Sequence, residues 1–162
     1  MFLIAACGPL GMEDRRIQDS QINSSSDWDG FHRAALARLH NEMSGGDKGA
    51  WSAKEKQIGE YLQIDLGQVT WITHAATQGR HEIDREINQW VMSYKLTYSD
   101  DGAEWKEYKE AGQTKVFSAN RDRDSVVTNP LFPAIKSRYI RFLPLTWYKH
   151  ISMRVEIYGC GL

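Results

Sequence analysis

Apolar and polar residues alternate along several short runs of the chain, and this alternation predicts β-strands. The clearest run is 61–66, and a second run at 69–77 follows after a two-residue break that predicts a hairpin. Further strand-like runs lie at 91–99, 105–108, 125–128, 138–142 and 153–158. The prolines Pro130, Pro133 and Pro144 are predicted to separate the later runs. Many short strands at regular spacing predict an all-β sandwich or barrel.

Helical periodicity is scarce by comparison. Residues 31–40 are the one segment that favours a helix, but this segment is short and lies between turn-rich stretches, which predicts irregular structure or a single turn. Two longer stretches, at 26–49 and 79–89, carry no strand signal. Loops of that length in a compact domain are usually functional, so both stretches are expected to contribute to a binding site.

Composition narrows the class of protein to one soluble domain. The 162 residues include 41% hydrophobic and 25% charged residues, proportions that suit a single buried core. The formal net charge of −1 provides no global field that would attract nucleic acid or an acidic membrane. We therefore expect no nucleic-acid partner, and an anionic membrane surface would have to be bound through a local patch. No apolar run approaches the ~20 residues of a membrane-spanning helix.

Cys7 and Cys160 are the only cysteines, and they stand near the two ends of the chain. Their position outside the ordered pattern favours a disulfide and an extracellular location, either secreted or in the ectodomain of a cell-surface protein. Two buried thiols in a reducing compartment are the alternative. Residues 1–6 are interpreted as a residual leader or tag. Asn23 begins an N-glycosylation acceptor pattern, which matters only if the chain is secreted.

An ordered series of short motifs covers nearly the whole chain. It includes Ile-Gln-Asp-Ser-Gln-Ile at 17–22, Gly-Ala-Trp at 49–51, Tyr-Leu-Gln-Ile-Asp-Leu-Gly at 61–67, Thr-Gln-Gly-Arg at 77–80, Arg-Tyr-Ile-Arg at 138–141 and Arg-Val-Glu-Ile-Tyr-Gly-Cys at 154–160. In these motifs the chain resembles the discoidin domain family, also called the coagulation factor V/VIII type C domain. The resemblance implies a jelly-roll β-sandwich of the galactose-binding-like type, a single domain at 7–160 and a disulfide joining Cys7 to Cys160. It also implies binding loops that project from the end opposite the termini.

Members of this family share a framework and differ in ligand, so the fold does not decide the function. The stretches 79–95 and 144–154 are similar to those of discoidin lectins. We therefore expect a non-enzymatic adhesion or lectin-like module that binds cell-surface carbohydrate of the galactose or N-acetylgalactosamine type. Collagen or another extracellular matrix protein is one alternative, and an anionic phospholipid membrane containing phosphatidylserine is another. Because single sugar sites bind weakly, the domain is expected to oligomerise or to belong to a larger multidomain protein.

The first two predicted loops supply four candidate ligand contacts. Trp28, Phe31 and His32 form an aromatic group that could stack on a sugar, enter lipid or anchor a protein, although either of the first two could instead fold back over the sandwich. Asp47 lies one position from an acidic residue that collagen-binding relatives use. Carboxylates beside glycine-rich backbone near Asp47 could also hold a structural Ca²⁺, but the chain lacks an EF-hand-like series of ligands. No other cofactor is expected.

Two further loops complete the candidate site. Between 79 and 90 the sequence alternates in charge and contributes four candidates, Arg80, His81, Asp84 and Glu86. The fork of Arg80 suits vicinal hydroxyls or a carboxylate, although Arg80 could instead pair with Glu86 or Asp84 to hold the loop. The turn before the last strand adds three more candidates, Tyr148, Lys149 and His150.

Catalytic signatures do not stand out in the sequence. The five histidines are scattered at 32, 40, 74, 81 and 150, and no Cys-x-x-Cys pattern is present. The serine cluster at 24–26 lacks the context of a nucleophile elbow. We therefore expect a binding module and no catalytic residue.

Overall fold

The computed structural model describes residues 7–161, so the leader or tag predicted at 1–6 lies outside the described residues. Three 3₁₀ turns lie at Asp19–Gln21, Gly30–His32 and Ala34–Leu36. The strands are β1 (Gly8–Pro9), β2 (Ile22–Ser24), β3 (Trp51–Ser52), β4 (Leu62–Gln78), β5 (Trp90–Ser99), β6 (Lys106–Glu107), β7 (Lys109–Glu110), β8 (Gln113–Thr114), β9 (Phe117–Ser118), β10 (Val127–Tyr148) and β11 (Ser152–Gly161). No helix in 7–161 is long and apolar enough to cross a membrane.

Two long antiparallel strands, β4 and β10, build both layers of the fold. The first part of β4 pairs with β2 and with the second part of β10, which pairs in turn with β5. The second part of β4 lies between β11 and the first part of β10. The buried apolar side chains pack together into one core cluster. This arrangement confirms the predicted all-β, jelly-roll β-sandwich.

The predicted hairpin between 61–66 and 69–77 is wrong, because both runs belong to the continuous strand β4. Gly67 adopts a φ of +80°, which a glycine accommodates at low cost, and its backbone N–H donates to the side chain of Asp65 at 2.7 Å. Pairing with β10 shifts register at the same place, between the partners of Asp65 and Thr70. The two-residue break in the pattern is therefore a bulge that bends the strand from one layer to the other.

The prolines likewise do not end strands as predicted, since β10 runs without interruption from Val127 to Tyr148. Pro130 and Pro144 stand at register shifts of the ladder, and Pro133 lies inside the irregular segment 131–134. A bulge does not require the backbone N–H that proline lacks. The short helical signal at 31–40, in contrast, forms no α-helix; two 3₁₀ turns lie there, where irregular structure or a single turn was predicted.

The last strand separates the chain ends from the loops. Cys7 and Cys160 form the predicted disulfide, and Gly8 pairs with Gly159 beside it. At the other end of β11, Ser152 pairs with Ser52. Eight residues of strand separate Ser152 from Cys160, which corresponds to roughly 26 Å. Loops that contact the start of β11 therefore lie at the end of the sandwich opposite the termini.

Candidate functional site

A cavity of about 190 Å³ opens at this loop end. Four candidate residues line it together with two residues that the sequence did not single out; the six are Trp28, His32, Ser52, Arg80, Gln89 and His150. Loop segments and short strand ends contribute all of these side chains. The cavity therefore depends on how the loops are held together.

Backbone hydrogen bonds fix the first loop against β3. The N–H of Trp28 donates to the carbonyl of Ser52 at 2.8 Å, and the indole N–H of Trp51 donates to the carbonyl of Ser26 at 3.0 Å. Trp51 is fully buried, so this contact ties the loop to the core. Trp28 itself remains 55% exposed and forms an apolar wall of the cavity.

Arg80 is the central cationic group of the cavity and is only 6% exposed. It donates to the side-chain oxygen of Gln89 at 3.0 Å and to the carboxylate of Glu82 at 2.8 Å. The Nε atom of Arg80 is buried and has no hydrogen-bond partner within residues 7–161. A buried donor without a partner costs about 1–3 kcal/mol, so the position of Arg80 depends on its two other hydrogen bonds.

Glu82 is the ion-pair partner of Arg80, in place of the predicted Asp84 or Glu86. Burial opposes ionisation of Glu82, but the backbone N–H of Asp84 and the charge of Arg80 outweigh it and lower the pKa of this carboxyl. The carboxylate of Glu82 therefore offsets the charge of Arg80. The ion pair holds the guanidinium in place and weakens its attraction for anionic ligands.

His150 faces the cavity as a neutral imidazole. Its Nε2 lies 2.7 Å from the carbonyl oxygen of Ala53, and because a carbonyl can only accept, Nε2 carries the proton. Burial lowers the pKa of His150 below its usual 6.5, and the nearby charges of Lys56 and Arg80 act in the same direction. The remaining nitrogen, Nδ1, is left as a hydrogen-bond acceptor. The ring also meets that of Trp28 edge-on, with centroids 5.4 Å apart.

His32 and Gln89 complete the polar lining. The Nδ1 of His32 lies 2.6 Å from the carboxylate of Asp29 and donates to it, and this hydrogen bond lowers the pKa of Asp29. The oxygen of Gln89 accepts from Arg80 and from the hydroxyl of Ser152 at 3.0 Å. Because its oxygen is engaged in this way, the amide NH₂ of Gln89 is left as a donor.

Arg154 connects the loops around the cavity. Its side chain is buried, with 2% exposed. Its guanidinium donates at 2.7 Å to three backbone carbonyls, those of Gly79, Asn41 and Arg123, which belong to three different loops. Arg123 in turn donates to carbonyls of the loop 82–87. The loop end is therefore organised by arginine side chains that bind backbone.

The other candidate residues do not line the cavity. Phe31 is 55% exposed on the neighbouring 3₁₀ turn, and the Nδ1 of His81 accepts the backbone N–H of Met43 at 3.1 Å. Tyr148 stacks on Trp90, with ring centroids 4.7 Å apart. Three further charged candidates are exposed, Asp84, Glu86 and Lys149.

Asp47 is engaged within the protein. Both of its carboxylate oxygens accept from the guanidinium of Arg33, at 2.7 and 3.0 Å, and this contact lowers the pKa of Asp47. In the described part of the chain, no group of three or more His, Cys, Asp or Glu side chains is arranged to hold a metal ion. Structural Ca²⁺ near Asp47 stays a prediction. Asn23 is exposed on β2, and its glycosylation also stays a prediction.

Comparisons with known proteins identify relatives of this chain. A family model described as "F5/8 type C domain" matches residues 21–157. Lactadherin of Rattus norvegicus is 39% identical over 94% of this chain, and neuropilin-2 of Homo sapiens is 39% identical over the same share. The chain spans 36% of the lactadherin and 16% of the neuropilin-2.

Among solved structures, discoidin II from Dictyostelium discoideum is similar with a TM-score of 0.77 and 31% identity. The match covers 87% of this chain and 55% of that one. A family 32 CBM from C. perfringens NanJ, solved in complex with galactose, has a TM-score of 0.61 at 15% identity and covers 88% of this chain and 97% of that one. At that identity the likeness concerns the fold alone.

Proposed function

Since the chain belongs to the F5/8 type C domain family, we propose that it is an extracellular, non-enzymatic module that binds a neutral cell-surface glycan. The ligand is of the galactose or N-acetylgalactosamine type and occupies the cavity at the loop end. The disulfide between Cys7 and Cys160 fits the extracellular location, because disulfides persist in oxidising compartments.

The observation that carries this proposal is a cavity lined by a neutral imidazole, that of His150, and by the amide of Gln89, whose NH₂ group is left as a donor. One group donates and the other accepts, so a sugar hydroxyl can engage both through its oxygen lone pair and its proton. Trp28 adds an apolar wall against which the C–H face of a pyranose can stack. A galactose-type ring presents such a face because its axial hydroxyl leaves the opposite face apolar.

The charge of the cavity favours a neutral sugar over an anion. Arg80 is already paired with Glu82, and the imidazole of His150 is uncharged near neutral pH. A family 32 CBM with the same fold was solved with galactose, which supports a glycan ligand at the level of the fold. Collagen binding stays a prediction, and the carboxylate of Asp47, which collagen-binding relatives suggested, is engaged in an internal ion pair with Arg33.

Membrane binding is the second candidate function that a specific observation favours. Ile83 is 77% exposed at the tip of its loop, and Phe31 is 55% exposed on the adjacent loop. These apolar tips could enter a bilayer interface. The nearby carboxylates of Asp29, Asp84 and Glu86 would be repelled by anionic lipid, which is why we rank this function lower.

The test compares Trp28→Ala with Phe31→Ala, two variants that are matched in exposure and lie in the same loop. Because only Trp28 lines the cavity, we expect calorimetry with a multivalent galactoside to show a loss of about tenfold or more for Trp28→Ala and little change for Phe31→Ala. Liposomes containing phosphatidylserine, tested with Ile83→Asp, measure the alternative. Equal galactoside binding by wild type and Trp28→Ala, together with lost liposome binding by Ile83→Asp, would contradict the glycan proposal.

A further inference from the structure

A second cationic group lies on the outer face of the sheet, away from the cavity. Arg141 of β10 is sandwiched between Tyr61 and Trp105, with its guanidinium carbon 3.8 Å and 3.7 Å from the two ring centroids. Both planar faces of the guanidinium are therefore covered by aromatic rings. The sandwich fixes the orientation of the cation and removes water from its faces.

The terminal N–H groups of this guanidinium have no hydrogen-bond partner in the described chain. The Nε atom of Arg141 donates to the side-chain oxygen of Gln63 at 2.9 Å. The two terminal nitrogen atoms have no acceptor within 7–161, and they are not among the buried side-chain atoms that lack a partner. Two N–H groups, one from each terminal nitrogen, therefore point in parallel along the free end of the guanidinium.

Arg141 differs in this respect from six other arginines of the described chain. Each of those donates to a carboxylate or to backbone carbonyls; they are Arg33, Arg38, Arg80, Arg123, Arg138 and Arg154. The nearby carboxylates on the same face are already paired, Asp65 with Arg138 and Glu107 with Lys95. Partial burial lowers the pKa of Arg141, consistent with a cation that has no counter-charge beside it.

We propose that the free edge of Arg141 is a binding site for an oxyanion, namely a carboxylate or a sulfate group. A planar fork of parallel N–H donors matches both groups in a bidentate geometry. The site is separate from the glycan cavity, because Tyr148 at the loop end of β10 stands seven positions after Arg141, which corresponds to roughly 23 Å of strand. It does not depend on the proposed function.

The test uses the intact domain labelled with ¹⁵N-arginine. The Nε–H of Arg141 is held by Gln63 and provides an NMR signal that is assigned by its loss in Arg141→Lys. Sodium sulfate, sodium acetate and sodium chloride are titrated at matched ionic strength. We expect a saturable shift of this signal with sulfate or with acetate, and the comparison of these two salts shows which group the site prefers. Chloride should produce no saturable shift.

In a second sample, labelled uniformly with ¹⁵N, the indole N–H of Trp105 provides a signal that remains in the variants. With it, the affinity for the preferred anion should fall about tenfold or more in Arg141→Lys, because lysine cannot form the bidentate pair. Arg138→Lys is the matched control on the same face and should bind as wild type does. If Arg141→Lys does not fold, the wild-type comparison of oxyanion with chloride decides by itself. Shifts that are equal for all three salts, or unchanged affinity in a folded Arg141→Lys, would overturn the proposal.

Discussion

Arg154→Met should destabilise the domain more than any substitution of a surface arginine. Arg154 is 2% exposed and donates to the carbonyls of Gly79, Asn41 and Arg123, and it also reaches the carboxylate of Asp124 at 3.0 Å. Methionine has a similar length but no donor. The variant therefore leaves three loop carbonyls without their partner while it fills much of the same volume.

The magnitude follows from the burial of these carbonyls. An unsatisfied buried acceptor costs about 1–3 kcal/mol. The bond to Gly79 is buried, whereas those to Asn41 and Arg123 are partly buried, so water can replace part of the latter two. Removing the desolvated charge recovers some free energy. We expect a net loss of about 3–5 kcal/mol in the free energy of unfolding, a large share of the 5–15 kcal/mol of a typical domain.

Urea unfolding followed by fluorescence measures this loss, and it should appear as a lower midpoint with an unchanged slope. Arg138→Met is the control, because Arg138 forms a more exposed pair with Asp65 and should lose much less free energy of unfolding than Arg154→Met. A melting temperature about 6–20 °C below that of wild type should accompany the effect in Arg154→Met. If the two variants lost the same free energy, or if Arg154→Met lost less than about 1 kcal/mol, the assigned role of Arg154 would be wrong.

Two further predictions concern the chain ends and the cavity. Replacing Cys7 and Cys160 together by serine opens a loop with a sequence separation of 153 residues and should cost about 4–5 kcal/mol in chain entropy, measured by urea unfolding; an unchanged midpoint would contradict it. The folded-state pKa of His150 is lowered, so its contribution to stability is present above pH 6.5 and is lost as the pH falls from there toward the folded-state pKa. Galactoside affinity measured by calorimetry should fall several-fold over the same acidic range because protonation removes the Nδ1 acceptor, and this dependence should be weaker in His150→Gln.

The strands could be predicted because apolar residues recur at every second position along them, as in 91–99 and 153–158. The errors occurred where a strand changes layer. A break at Gly67 and the three prolines of β10 are equally compatible with a turn and with a bulge, since both need unusual backbone or a missing N–H. Only the partner strand decides between them, and the sequence of one segment does not contain its partner.

The residues that line the candidate cavity could also be predicted only in part. Trp28, His32, Arg80 and His150 come together as expected from loops that share one end of the sandwich. Ser52 and Gln89 also line the cavity, although each looks unremarkable beside the tryptophan that follows or precedes it. Their role depends on hydrogen bonds to residues distant in the chain, such as that of Ser52 with Ser152 at 2.6 Å.

The loops carry many charged residues in the sequence, but few of these charges are available to a ligand in the structure. Asp47 is neutralised by Arg33, Arg80 by Glu82, and the fork of Arg123 is turned to backbone carbonyls. What reaches the cavity is therefore a set of single donors and acceptors beside an aromatic wall. Hydroxyl groups match such a set better than an anion does, because an anion needs two or more uncompensated donors. The internal ion pairs of the loops therefore support a neutral glycan as the ligand of the cavity. On the sheet face, in contrast, the terminal N–H groups of Arg141 are free to bind a carboxylate or a sulfate.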